Sequence, residues 1–446
     1  MDVRTEKKPG IRLSAAQMRF TLFASAFMAM MSCPRSVLGG PGDSYGSSAI
    51  LTARAGAGAA DTPSTDAALI NPARLSDAGN VQLMIGINVV EDRLNVNDQD
   101  AGLDTYVGYV LGLAARLPLG TLKDRIFLGA HLHLPHEHLY DLQTALADKP
   151  RILFHDAHTR HFEFAAGMAV RLWKTFSVGI GFTLLPNVDG TVSIDFRNGS
   201  DAHATDIQVN YNMAPTLGLS ARPWQGLSLG FSWRGAHRTA LHIPVDVVVS
   251  EQIGAIHTSV SGTAFGEPDR FLFGIAYDFG HLAKTPRTRF TARAEFGYDH
   301  YRKDVASTSY VTLYDDGGNI LDVSEERPFG FHDSWHLAAS LDWAPLDALT
   351  VMAGYAWHKT PVPAQRSVLN ILDASRHQVS FGMTAWLPRA WLSMPREIGF
   401  STAAMIAIYQ RREMEKFEML NGNLGYPGIS FDGSVFSWHL SLLLQF

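Results

Sequence analysis

From residue 81 to the C-terminus, apolar and polar side chains alternate with a period of two, and no helical segment interrupts the pattern. That period belongs to strands with two unlike faces. In the last strand Phe436, Trp438, Leu440, Leu442, Leu444 and Phe446 share one face, while Ser437, His439, Ser441 and Gln445 share the other. Leu443 breaks the rule on the polar side. Fourteen such runs can be marked, at roughly 81–95, 105–117, 125–135, 159–173, 175–185, 206–222, 225–236, 269–279, 286–300, 331–344, 348–358, 375–387, 397–410 and 434–446. An even count suits a bacterial single-chain barrel.

The connections separate a membrane barrel from a soluble β-protein. They alternate long and short: 96–104, 136–158, 186–205, 237–268, 301–330, 359–374 and 411–433 are long, whereas Lys174 or Pro223-Trp224 suffice between. Outer-membrane barrels have short periplasmic turns and long extracellular loops, and a soluble sandwich has no reason to keep its long loops at one end. The expected fold is therefore all-β, a transmembrane antiparallel barrel of about 14 strands over residues 81–446. Both termini are expected in the periplasm. Apolar faces such as Phe290, Ala292, Ala294, Phe296 and Tyr298 would meet lipid. The alternate residues, among them Arg289, Arg293, Glu295, His336 and Asp342, must then face the lumen, because charge facing lipid is costly.

Composition agrees. Hydrophobic residues make up 46% and charged residues only 18%, against about 25% charged in soluble proteins. Beyond the N-terminus there is no apolar stretch of the roughly 18 residues a membrane helix needs. Residues 1–40 read as a signal peptide: Lys7, Lys8, Arg12 and Arg19 precede the apolar run Phe20–Met31. Met18 is an alternative start. Ordinary cleavage within Ser36–Gly40 is favoured over a lipoprotein site at Cys33, the only cysteine. Without residues 1–40 the formal charge falls from −6 to −10, which disfavours nucleic acid as a partner. Residues 41–80, rich in Gly, Ala, Ser and Asp, form either a loose periplasmic tail or a plug inside the barrel, where small residues permit close backbone packing.

Three stretches resemble the FadL-type outer-membrane transporters of long-chain fatty acids and hydrocarbons. Asp66-Ala-Ala-Leu-Ile-Asn71-Pro72-Ala73 is similar to the family's N-terminal signature. Leu349–Pro363 with Ser375-Arg376-His377 resembles its C-terminal one, and Ala214–Pro223 running into Leu227–Gly230 resembles its strand–turn–strand segment. Arg74 stands where glycine is usual, and Leu372-Asp-Ala-Ser375 replaces a proline-containing stretch. The resemblance implies a monomeric fourteen-stranded barrel with an N-terminal hatch over residues 41–80. It also implies capture of a hydrophobic ligand by extracellular loops and passive release through a gap in the wall after hatch movement.

Several residues are candidates for these roles. Asn is a favoured helix N-cap and Pro suits the first helical position, so Asn71-Pro72-Ala73 is expected to start a short turn that fixes the hatch. Leu139, Tyr140 and Leu142, with Ala145 and Leu146, lie at near-helical spacing in the loop 136–158 and offer either a greasy capture surface or a packing face. Arg289, Arg293, Glu295 and Arg376 are possible ligand or lumen contacts, although pairing with one another or with the hatch is the commoner use of such groups. His131 and His133 share a strand face near His136, His138, His155, His158 and His161, yet no known metal-ligand spacing completes a site. No metal or other cofactor is expected. No nucleophile elbow or triad spacing points to an enzyme. Expected partners are outer-membrane lipids, a hydrophobic small molecule, and the barrel-assembly machinery acting on the C-terminal strand. A general porin or a surface adhesin or receptor barrel is the alternative reading.

Overall fold

The computed structural model describes residues 46–120, 124–136, 151–152, 155, 162–195, 202–250, 254–282, 289–301, 310–314, 320–323, 329–366, 370–387, 397–417 and 425–446. The expected signal peptide with Cys33, the loop residues Leu139, Tyr140, Leu142, Ala145 and Leu146, and His138, His158 and His161 lie outside the described residues.

Fourteen strands form the wall: β1 Val81–Val96, β2 Tyr106–Arg116, β3 Ile126–Pro135, β4 Glu163–Trp173, β5 Phe176–Asp195, β6 Ala202–Ala221, β7 Leu227–Arg234, β8 Asp269–Asp278, β9 Arg289–His300, β10 Ser334–Leu346, β11 Leu349–His358, β12 Arg376–Leu387, β13 Glu397–Glu415 and β14 Gly428–Gln445. Each pairs antiparallel with the next, and β1 pairs with β14 from Gln82↔Gln445 to Val96↔Phe431, closing the ring. Closure satisfies every edge, which a strand in hydrocarbon requires. Among the described strands the ladder runs round the wall without a break.

The alternation read from the sequence sorts the two faces. Ile85, Ile180, Phe273, Phe381, Phe436, Trp438 and Leu440 are exposed on the outside, while Met84, Asn88, His439 and Ser441 on the same strands are buried inside. A charge on the outer face near mid-membrane would cost ~2–4 kcal/mol. The outward apolar stripe is thus what makes the ring a bilayer structure. Leu443, the exception on the polar side, faces inward against Met84, Val110 and Ile50.

Where the sequence suggests long loops, the structure continues in strands. β5 and β6 run 20 residues each, against the ~9–11 that cross a bilayer, so the hairpin rises well beyond the membrane. Part of the expected loop 237–268 is a further hairpin, His237–Ser250 with Gly254–Glu267. Its first strand lies parallel to β5, from Val188↔Leu241 to Asp195↔Val248. Tyr310–Tyr314 and Ile320–Val323 extend that layer. These strands pair beyond the lipid, where no outward apolar stripe is required. Their sequences therefore lack the clean alternation that marks the wall.

Residues 46–78 are neither strand nor loose tail. They form the short helix α1 Ala49–Ala53, a 3-10 turn Ser64–Asp66, α2 Ala67–Ile70 and a second 3-10 turn Pro72–Asp77. Most of their side chains are buried, including nine alanines from Ala49 to Ala73. Their partners are inward-facing residues all around the ring. The Ala49 amide donates to the Ser441 hydroxyl on β14 at 3.1 Å, Ser380 on β12 donates to the Ala53 carbonyl at 2.9 Å, and Asn71 donates to the Leu219 carbonyl on β6 at 3.1 Å.

Candidate functional site

The lumen has three levels, and the N-terminal segment forms the middle one. Its backbone rests on a patch of wall glycines. Gly179 on β5 pairs in register with Gly218 on β6, and Gly230 on β7 pairs with Gly274 on β8. A Cβ at Gly179 would collide with the Pro72–Ala73 backbone, and one at Gly218 with the Asn71 side chain. At Gly230 it would strike the Ala59 carbonyl, and at Gly274 it would lie 2.6 Å from the Ala60 nitrogen. Glycine inside a strand is unfavourable unless another backbone must come close. Here four consecutive strands supply that space, and the alanine-rich segment fills it. Sequence reasoning missed these residues. The available signal was a glycine at inward positions of adjacent strands.

Asn71 does what the sequence suggested and more. Its Oδ1 accepts from the Ala73 amide at 3.1 Å and caps the turn, with Pro72 at the first position. Its Nδ2 also donates to the Ala59 carbonyl at 2.7 Å and to the Leu219 carbonyl at 3.1 Å. One fully buried side chain thus ties Ala59 and the Pro72 turn to each other and to the wall.

Toward the short turns, an alternating chain of charges crosses the lumen. Arg222 meets Asp77 at 2.7 Å, and Asp77 also pairs with Arg74. Arg74 reaches Asp61 at 3.3 Å, and Arg293 on β9 holds Asp61 through Nε at 2.9 Å and Nη2 at 2.5 Å. Arg293 then meets Asp342 on β10 at 2.8 Å, and Arg54 closes the chain on Asp342 at 2.6 Å. Burial opposes the charge on Asp61, but Arg293, Arg54 and Arg74 overcome it and hold the carboxyl well below the usual carboxylate range. Two residues further along β9, Glu295 accepts from the amides of Gly58 at 2.9 Å and Ala59 at 2.6 Å, with His336 at 3.5 Å. At the start of the segment Asp66 accepts from the Ser48 hydroxyl at 2.7 Å, and burial pushes its carboxyl up against the opposing effect of His131 and Ser48.

Toward the long loops, the lumen divides into an apolar and a charged half. Val90, Leu94, Tyr106, Tyr409, Met414, Ile429, Phe431 and Val435 pack together on β1, β2, β13 and β14, joined by Ile152 and Leu372 from two loops. Across from them Arg234 pairs with Glu163 at 2.9 Å and Glu267 at 3.0 Å, and Arg270 pairs with Asp299 at 2.8 Å. A small cavity of about 40 Å³ lies on this side, against Leu69, Ile70 and Glu295. At the opposite end two larger open cavities, about 460 and 550 Å³, flank Asp61 and Arg222.

The other candidates fall in different places. Arg293 and Glu295 both face inward and engage the N-terminal segment. Arg289, expected beside them, is exposed at the first position of β9 and contacts neither. It stands four residues before Arg293 on the same strand, so the alternation gave its side but not its depth. Arg376 is buried with its guanidinium 5.8 Å from the Tyr409 ring, next to the apolar half. His131 and His133 do share the inner face of β3. His131 meets the Gly46 carbonyl at 2.8 Å, and His133 bonds the Tyr106 hydroxyl. His155 lies between Asp92, at 3.0 Å, and the Tyr409 hydroxyl, and His136 bonds Tyr109 at 3.1 Å. Among the described residues no three His, Cys, Asp or Glu side chains are grouped to hold a metal ion.

The whole outline matches solved structures. A FadL homologue of Pseudomonas aeruginosa aligns over 92% of this chain and 99% of its own at 14% identity, with a TM-score of 0.56. The toluene transporter TodX of P. putida aligns over 91% and 99% at 16% identity, TM-score 0.57. The fold is that of the FadL-type channels. CymD, a monoaromatic hydrocarbon channel, agrees with it over 90% and 98% of the two chains, at 14% identity and a TM-score of 0.54. No family model matches the sequence, and neither does any curated protein. At these identities the likeness is one of FadL-type architecture: the wall strands and their order are shared while the side chains have diverged. A barrel of this kind, apolar outside and closed on itself, is a bacterial outer-membrane protein.

Proposed function

We propose that the protein is a passive outer-membrane channel for hydrophobic compounds, hydrocarbons or long-chain fatty acids, with residues 46–78 as its hatch. The observation that carries this is the apolar cluster inside the loop end of the lumen, around Leu94, Tyr409 and Phe431. A general porin keeps a polar, water-filled interior and has no use for such a surface. A ligand that partitions from the outer loops into this cluster exchanges water for apolar contact at about 25 cal/mol per Å² buried. The structural relatives described as toluene and monoaromatic hydrocarbon channels support the same reading. The long loops face outward and the termini and short turns face the periplasm, in keeping with barrel architecture. The chain acts as a monomer and is inserted by the barrel-assembly machinery through β14. Release through the wall would require opening of a ladder that is otherwise fully paired.

The test is uptake. Purified protein reconstituted in liposomes should speed transfer of toluene or oleate to the interior, and a strain lacking the gene should take them up more slowly. Equal rates with and without the protein would overturn the proposal. Removing residues 46–78 should at the same time open the lumen to small polar solutes.

A further inference from the structure

We propose that a cationic cavity at the loop-side rim of β11, β12 and β13 holds the phosphate group of an outer-leaflet lipid, separately from whatever the lumen carries. The cavity measures about 380 Å³ and is lined by residues just beyond the wall ladder. β11 ends at His358 and β12 begins at Arg376; the two pair with each other, and Arg376 pairs in turn with Tyr409 on β13. Lys359, Ser375 and Gln410 come one step further out, and the Gln410 amide donates to the Ser375 carbonyl at 2.8 Å. By parity these three continue the outward face, on which Tyr355, Phe381, Ile406 and Ile408 are exposed. The 12 residues of β12, at ~3.4 Å each and a tilt of ~40°, cover about 30 Å, more than the ~25 Å apolar band of such a barrel. A group one residue beyond them stands at the level of the lipid headgroups.

The charge of the cavity is one-sided. Lys359, Arg411, Arg412 and His332 line it, and among the described residues no acidic side chain does. Arg411 is already balanced, by Asp98 at 2.6 Å, Asp432 at 3.1 Å and Glu413 at 3.2 Å. The other two strong cations are not. Arg412 donates to the backbone carbonyl of Asp373 at 2.9 Å rather than to its carboxylate, and burial pushes that carboxyl up. Lys359 has neither a hydrogen bond nor an ion pair among the described residues. Burial holds its ammonium below the usual lysine range, with no carboxylate opposing the shift. Between them the Ser375 hydroxyl accepts from the Thr360 amide at 3.3 Å and keeps its own proton to donate. An ammonium, a guanidinium and a hydroxyl lining one space suit the several oxygens of a phosphate. A lipid fits better than a free phosphate, because the cavity stands directly above an exposed apolar stripe on which acyl chains can lie. A narrow polar band separates the two: the Tyr355 hydroxyl is 2.8 Å from His377 Nδ1, and Gln410 Nε2 is 2.9 Å from His377 Nε2.

Lipid binding to the folded protein in detergent tests this. Lipid A, a phosphorylated and acylated disaccharide, and the same lipid stripped of its phosphates are titrated and counted on the intact protein by native mass spectrometry. The phosphorylated form should bind, and Lys359→Ala should weaken it by about tenfold or more, the loss expected when a hydrogen bond to a charged group is removed. Arg412→Ala should act in the same direction, with folding checked by heat-modifiable migration. Lys359 lies off the ladder, so its variant decides the matter even where Arg412→Ala does not fold. Arg93→Ala, at an exposed arginine of β1 that pairs with Glu91 at 2.7 Å, should change nothing. Equal binding of the stripped lipid, or tight binding untouched by Lys359→Ala, would overturn the site. Inorganic phosphate should compete far more weakly than the lipid; equal competition would overturn a lipid as the source of the phosphate. Displacement by oleate at equal concentration would overturn the assignment in favour of a carboxylate cargo.

Discussion

Asn71 offers the sharpest test of how the proposed hatch is held. If it only capped the turn at Pro72, aspartate would serve as well, since Asn, Asp and Ser are nearly equivalent N-caps. In the structure its amide also donates to the carbonyls of Ala59 and Leu219. Asn71→Ala loses the cap, worth ~0.5–2 kcal/mol, and two donated hydrogen bonds, typically ~0.5–1.5 kcal/mol each. The sum is roughly 1.5–5 kcal/mol against the seated segment. Asn71→Asp keeps the cap but directs a carboxylate at the same two oxygens in a fully buried site, so it should be worse than alanine. Barrel insertion is set by the wall and should survive both changes, as judged by heat-modifiable migration on gels. Bilayer conductance should then rank wild type lowest, Asn71→Ala higher and Asn71→Asp highest. An aspartate variant as tight as wild type would refute the bridging role and reduce Asn71 to a cap.

Two further outcomes follow from the same contacts. Gly218→Val and Gly179→Val place side chains where the hatch backbone lies, so both should unseat it and raise conductance, whereas valine at the outward Ile180 should leave it unchanged. Asp61 gives a pH dependence. Its carboxyl is depressed when docked, so its contribution is complete above the ordinary value of about 4 and is lost as pH falls through the docked value. Leak should therefore stay flat from neutral pH down to about 4 and rise only in stronger acid, and a rise already near pH 6 would contradict this ion-pair chain.

The wall was legible because lipid and lumen impose opposite demands on neighbouring residues, so Phe436 to Phe446 and Phe290 to Tyr298 carry their facing in their order. The N-cap and proline of Asn71-Pro72 were legible for a similarly local reason. Depth is not local: Arg289 and Arg293 share a face by parity, yet only Arg293 lies level with Asp61. The glycine patch was hidden because Gly179, Gly218, Gly230 and Gly274 come from four strands. Their common purpose appears only when register puts them side by side. The long outer hairpins escaped notice because beyond the bilayer backbone pairing alone sustains a strand.

The seam between β1 and β14 has a consequence for biogenesis. Ala49, near the start of the hatch, is bonded to Ser441, close to the C-terminus. Arg293, Glu295 and Asp342 on the inner wall find their countercharges or donors largely on the hatch. A ring that zipped shut while empty would leave these groups only their wall partners, Arg293 with Asp342 and Glu295 with His336, and would then have to admit 33 residues, from Gly46 to Ala78, through one of its ends. The last ladder to form should therefore close over a lumen already occupied. The first part of the chain to arrive then acts as the mandrel around which the remainder is wound.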